Sequence, residues 1–266
     1  MTQTDIAALF AAGIVPGIVA IVLYNITIDI ITRIRPDWGP VGKRSDWKQR
    51  LTALRKVWAV AALFILIMGG FVGGIFTASE GGGIGAAGAF LFALWRRVLT
   101  WRIIVDVLLE TGRTTAMLFV ILFGALIFAN YVELTGLPAQ LGVFVQDLQL
   151  GRVGVMLLII LIYIGLGCVL ESLSMMFLTV PLFFPIITQA GYHPVWFGVL
   201  LVVVMELALI TPPVGMNVFV IKSMVPDVSL GTVFAGVTPF MVAMLVLILI
   251  LLFIPNIALF LPTLMF

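Results

Sequence analysis

Two stretches of this chain combine groups that bind cations with a backbone that cannot stay helical. The first is MELALITPPVGMN at 205–217, where the Glu206 carboxylate precedes Thr211, Pro212 and Pro213, and Gly215 and Asn217 follow. Pro212 supplies no backbone donor, and Pro213 clashes with the carbonyl one turn earlier while pushing Pro212 out of the helical region. Such a break frees N–H and C=O groups, which at membrane depth persist only when buried in protein or facing a wet cavity. The second stretch is GCVLESLSMM at 167–176, which gathers Gly167, Glu171, Ser172 and Ser174 without any ordinary polar loop around them. Carbonyl, hydroxyl and amide oxygens are what hard cations take as ligands, so Thr211 and Asn217 are candidates for ion binding. Hydrogen bonding to loose backbone is the alternative role for the same groups. Glu171 and Glu206 have three readings: holding Na+, relaying protons, or capping backbone freed by the break. Each is a candidate because a charge inside a span costs at least ~2.5 kcal/mol on insertion scales.

Composition supplies the setting these groups require. Hydrophobic residues make up 63% of the chain and charged residues 10%, with a mean hydropathy of +1.28. Those values exclude a soluble domain, and the apolar runs exceed the roughly 20 residues a helix needs to cross a bilayer. No run alternates as a barrel strand does. A single cysteine, Cys168, excludes an internal disulfide, and a single histidine, His193, makes no zinc or haem centre. Neither a Ser/His/Asp set nor paired catalytic aspartates are present, so no enzyme is expected, and no nucleic-acid partner either.

Charge along the chain sets the topology. Of the fourteen Lys and Arg residues, eight lie at 33–56 and four at 96–113; the others are Arg152 and Lys222. Basic residues concentrate in loops that stay in the cytoplasm. The chain therefore reads as an inward span at 6–32, a basic cytoplasmic segment, an outward span at 57–78 and a Gly-rich inward span at 79–95. An interfacial helix at 98–113, an outward span at 114–132 and an external stretch at 133–151 follow. The N-terminus is expected outside, and 1–10 lacks the basic region of a signal peptide. Trp38, Trp47 and Trp58 suit anchoring at the lipid headgroups or docking of a partner subunit. Glu80 is placed to cap the Gly-rich span, whose glycines at 81, 82, 83, 85 and 88 permit close helix packing; no P-loop lysine follows them.

From Arg152 the pattern changes. A short apolar run at 153–170 ends in the polar 171–174 cluster, and FLTVPLFFPIITQAGYHP returns with Pro181 and Pro185 on one helix face. The arrangement suggests a re-entrant hairpin; an ordinary pair of spans with a tight polar turn is the alternative. Next come an apolar helix at 195–210, the break at 211–215 and a short helix at 216–225. A hairpin followed by a broken helix describes a half-transporter, in which helix ends and unwound carbonyls meet cations and an anionic substrate. The chain is thus expected to be an all-α polytopic membrane protein with about six spans, a re-entrant hairpin and a broken crossover helix. Connecting scaffold spans occupy 1–151, the transport-domain hairpin and broken helix 152–228, and a C-terminal span 229–266.

The run LGCVLESLSMMFLTVPLFFPIITQAGYHPVWFGVLLVVVMELALITPPVGMNVFVI resembles the second hairpin and crossover helix of the large permease subunit of tripartite ATP-independent periplasmic (TRAP) transporters. LFAAGIVPG and GGIFTASEGGGIGAAGAF resemble that family's connecting spans, and TPFMVAMLVLILILLFIPNIALFLP its final helix. The resemblance implies half of an inverted-repeat elevator transporter in the bacterial inner membrane. It further implies Na+ symport of organic acids such as dicarboxylates, delivered by a periplasmic substrate-binding protein, with a small TRAP membrane subunit as partner. Na+ is the coupling ion and no other cofactor is implied. Carried over, the substrate and ion region comprises Gly167, Glu171, Ser172, Ser174, Glu206, Thr211, Pro212, Pro213, Gly215 and Asn217, with Na+ at Gly167, Ser174 and Thr211.

The sequence departs from that family where Glu171 and His193 stand at positions that often hold Asp, and where Thr77-Ala-Ser-Glu80 replaces a TPTEAA pattern. His193 is expected at the surface or interface. The family's first repeat would precede LFAAGIVPG, so the sequence is expected to be the C-terminal part of a longer permease. The competing expectation is a truncated or non-transporting membrane scaffold or assembly protein.

Overall fold

A computed structural model describes residues 4–39 and 46–265, all helix and connecting turns. Positions 40–45 of the basic segment and residues 1–3 of the N-terminus lie outside the described residues. The chain divides into two compact units, one of residues 39–118 and the other of residues up to 38 and from 119 onward.

In the 39–118 unit, α2 (Trp47–Val72) packs on α3 (Ala78–Trp95). Asp46 caps α2 through a capping box with Gln49, so the helix begins well before the span expected at 57 and takes in Lys48 and Arg50. It bends by 54° between Trp47–Leu54 and Val57–Phe71. Thr77 caps α3, with the Glu80 carboxylate accepting from the Thr77 N–H at 2.7 Å, the capping role its position suggests. Gly81, Gly85 and Gly88 recur at one-turn spacing against Phe71, Ile67 and Leu63 of α2. Side chains there would drive the helices apart, whereas Cβ atoms on Gly82 and Gly83 would meet nothing within 4 Å. Trp58 adds edge contacts to Phe92 and Trp95 at 5.5 and 5.9 Å.

Helix α4 (Trp101–Leu134) is continuous, whereas the sequence pattern suggests an interfacial helix and then a separate span. No proline interrupts 101–134, and one glycine in a helix interior costs only about 1 kcal/mol, so nothing stops the helix at 113.

The other unit is built around α8 (Pro194–Ile210), which touches α1 (Ile6–Ile34), α6 (Arg152–Gly167), α7 (Ser172–Gln189), α9 (Met216–Met224), α10 (Leu230–Phe253) and α11 (Asn256–Met265). Trp196, Leu200, Val204 and Leu207 of α8 are buried with Met156, Tyr163, Met175, Ile187, Leu247 and Leu251 in one apolar core. The 133–151 stretch contains α5 (Leu137–Asp147), which packs on α7. The final span breaks at Ile254–Pro255 into α10 and α11, because proline keeps the residue before it out of the helical region.

Among the described residues four helices, α1, α4, α7 and α10, are long and apolar enough to cross a membrane, and the bent α2 makes a fifth. This is a polytopic α-helical membrane architecture. The Gly-rich α3 is not among the four, and the division of the last span shortens α11 to 10 residues. The 16 residues of α6 rise only about 24 Å, short of a hydrocarbon core about 30 Å thick, as one arm of a re-entrant hairpin would.

Candidate functional site

The hairpin is fastened at its tip, middle and base. At the tip, residues 168–170 turn the chain and Glu171 caps α7: its Oε2 accepts from the N–H groups of Leu173 and Ser174 at 3.1 Å each, and from Ser174 Oγ at 3.3 Å. An N-cap of this kind satisfies donors that a helix start leaves orphaned. Midway, Thr179 bonds Tyr163 across the arms at 2.7 Å and donates back to Met175 O. At the base, Arg152 donates to Gly191 O at 2.9 Å and lies 4.0 Å over the Tyr192 ring, which stacks on Trp196 at 4.6 Å. Tyr192 returns a bond to Arg152 O, and Trp196 donates to Leu251 O of α10. Burial pushes the Tyr192 phenol up, and the Arg152 guanidinium works against that.

The crossover helix breaks where its prolines require. Thr211 leaves the helix at φ −85°, ψ 135°, the Pro212–Pro213 bond is cis, and α9 starts from Gly215 at φ +59°. A side chain at Gly215 would be strained by that φ and would press on Thr211 O and the Phe234 ring, each 3.2 Å from where a Cβ would sit. Thr211 Oγ1 donates to Leu207 O at 2.7 Å, closing the end of α8.

Tip and break meet directly. A Cβ on Gly167 would overlap the Cβ of Ala208, one turn before the break. Next to it, the buried Cys168 Sγ lies 3.8 Å from Thr211 O and 3.6 Å from Pro212 O, and 3.3 Å from Ile164 O in its own arm. Two helix C-termini, those of α6 and α8, therefore converge on one spot. Each brings roughly half a negative charge, a field that favours a cation. Thr211 and Ser174 spend their hydroxyl protons inside the protein, so their oxygens face any further partner as acceptors.

The joint thus unites Gly167, Thr211 and Pro212, with Gly215 folding back onto Thr211. Glu171 and Ser174 sit at the far side of the turn, bonded to each other, and Ser172 is half-buried in the first turn of α7. Pro213 and Asn217 are exposed. Glu206 stands apart. It lies on the side of α8 opposite Ala208, exposed in a groove that Tyr24 of α1 also lines, and among the described residues it caps nothing. His193 is exposed and caps α8 by accepting from the Val195 N–H at 3.3 Å. Cys168 and Ala208 form the joint although sequence reasoning passed over both. The signal available was their spacing: Cys168 follows the tip glycine and small Ala208 sits one turn before the break, as close helix packing demands. Among the described residues no group of three or more His, Cys, Asp or Glu side chains gathers to hold a metal.

Comparison with known proteins adds a lineage to this geometry. A family model described as "Tripartite ATP-independent periplasmic transporter, DctM component" matches residues 1–257. Over 98% of its length the chain is 32% identical to the C4-dicarboxylate TRAP transporter large permease protein DctM of Pseudomonas aeruginosa, covering 61% of that protein. It is 29% identical to the sialic acid TRAP transporter large permease protein SiaM of Vibrio cholerae, covering 99% of the chain and 61% of the relative. The ectoine/5-hydroxyectoine TRAP transporter large permease protein UehC of Ruegeria pomeroyi is 30% identical, with 100% and 62% covered. The chain spans about three fifths of the length of these curated relatives.

Proposed function

The chain belongs to the DctM family of tripartite ATP-independent periplasmic transporters, a family of multi-pass inner-membrane permeases and not of enzymes, and we propose that its hairpin–break joint is a Na+ site that drives organic-acid import. The observation that carries this reading is the convergence of two helix C-termini at Gly167, Ala208 and Thr211. The donor set suits Na+: carbonyls of Thr211 and Pro212 freed from the helical ladder, with the hydroxyl oxygen of Thr211. The α9 N-terminus at Gly215 has no side-chain cap, so its first N–H groups are available to an acid group of the substrate.

The relatives' printed substrates are C4-dicarboxylate, sialic acid and ectoine or 5-hydroxyectoine. A small organic acid is the class we assign to this chain, with a small membrane subunit and a periplasmic substrate-binding protein as partners. The basic segments at 33–56 and 96–113 then lie in the cytoplasm, and import runs down the Na+ gradient. Uptake of labelled succinate into proteoliposomes holding the permease, its small subunit and its binding protein tests the proposal. Uptake that requires an inward Na+ gradient and fails with K+ is expected. Equal uptake with either cation removes Na+ coupling, and no uptake of any carboxylate tested removes the substrate class.

A further inference from the structure

Helix α2 enters the apolar layer at an identifiable level. Trp58 meets Phe92 and Trp95 of α3 edge-on at 5.5 and 5.9 Å, Trp95 ends α3, and Arg96 and Arg97 follow it. Tryptophans bordered by cations mark a membrane–water boundary. Just before Trp58, between Leu54 and Val57, the helix bends by 54°, so Trp47–Leu54 forms an arm beyond that boundary. Eight helical residues rise about 12 Å, and at this bend they advance only about 7 Å along the axis of Val57–Phe71. That advance matches the headgroup layer, roughly 5–7 Å deep on each side of the hydrocarbon core.

The side chains of the arm are sorted for such a layer. Trp47, Leu51 and Leu54 share one face at one-turn spacing and are 79%, 56% and 63% exposed. Lys48 and Arg50, both exposed, flank that strip on its two sides, and Arg50 lies over the Trp47 ring at 5.4 Å. Gln49 and Thr52, on the back, bond to backbone at Asp46 and Lys48. From 47 to 72 the chain carries four Lys and Arg residues and neither Asp nor Glu. An apolar strip edged by one sign of charge is the pattern of a helix lying in an anionic lipid surface. Size argues against a protein partner on the arm, since a stable interface takes roughly 20–30 residues a side and the arm offers eight. We propose that the arm binds anionic phospholipid of the cytoplasmic leaflet, with Trp47, Leu51 and Leu54 sunk to the acyl boundary and Lys48 and Arg50 paired to the headgroups. The surface belongs to the 39–118 unit and stands whether or not the hairpin–break joint binds Na+.

Quenching of Trp47 fluorescence by lipids brominated on their acyl chains tests this, read as the difference between the native chain and Trp47→Phe in phosphatidylcholine nanodiscs. Brominated phosphatidylglycerol and brominated phosphatidylcholine are compared at the same fraction of the lipid. Phosphatidylglycerol is expected to be preferred beside Trp47 by at least about fivefold, the ratio that one cation at an anionic surface supplies. Lys48→Glu combined with Arg50→Glu is expected to bring the ratio to one, with melting temperatures confirming that the variants fold. KCl at about 1 M should do the same in the native chain without any substitution, because it screens charges beyond about 3 Å. Equal quenching by the two lipids, or a preference that survives either the charge reversals or the salt, would overturn the proposal. So would a Trp47 that neither lipid quenches, which would place the arm against protein.

Discussion

Gly167 and Ala208 touch so closely that the glycine has no room for a methyl group, and this contact holds the hairpin tip against the break of the crossover helix. Its smallness is therefore a condition of the joint. Gly167→Ala is expected to cost about 1–3 kcal/mol through overpacking. Ala208→Gly in the same chain should recover part of it, although glycine near a helix end costs up to about 1 kcal/mol by itself. A double-mutant cycle from unfolding in detergent measures the coupling, and additive effects would mean that the two residues do not pack.

Glu171 acts first as a cap, accepting two backbone N–H bonds at the start of α7. Glu171→Ala is expected to lose about 0.5–2 kcal/mol, while Glu171→Asp keeps most of the stability because Asp is a favoured N-cap. The same unfolding measurement checks both. Equal losses in the two variants would point away from capping and toward a role that needs the longer side chain.

Arg152 clasps the base of the hairpin through Gly191 O and the Tyr192 ring. Lysine keeps the charge but loses the planar stacking, so Arg152→Lys should cost roughly 0.5–1 kcal/mol and Arg152→Ala about 1–2 kcal/mol. Hydrogen exchange at 189–193 is the more local readout, and it should rise in the order native, Lys, Ala.

Glycines of α3 separate by face. Gly88→Leu is expected to force α3 off Leu63, whereas a Cβ on the exposed Gly82 has open space around it among the described residues. Gly88→Leu should destabilise by about 1–3 kcal/mol and Gly82→Leu by well under 1 kcal/mol. Thermal unfolding of the two variants side by side distinguishes them; similar losses would mean that both faces are packed.

What could be read from the sequence follows from where the physics is local. Pro212 and Pro213 dictate a break wherever they stand, so the discontinuous helix was legible, as was the Thr77–Glu80 cap. The hairpin arms were legible because apolar length and the polar tip are both local. The course of α4 was not, since charges at helical spacing end neither a helix nor a span by themselves. The joint itself was half legible. Gly167 and Thr211 were candidates from their residue types, but Cys168 and Ala208 owe their importance to contacts between distant segments, Cys168 and Thr211 being 43 residues apart. Glu206 and Glu171 looked equivalent as intramembrane carboxylates, and only helix phase sends one to a cap and the other to an apolar groove.

A Na+ ion held where α6 and α8 converge stabilises the folded chain. Melting of the chain in detergent, followed as NaCl replaces KCl at constant ionic strength, tests it most directly. A melting temperature that climbs with Na+ is expected, the stabilisation reaching about 2.7 kcal/mol at one hundred times the dissociation constant. Melting curves that coincide in Na+ and K+ at every ratio would contradict it.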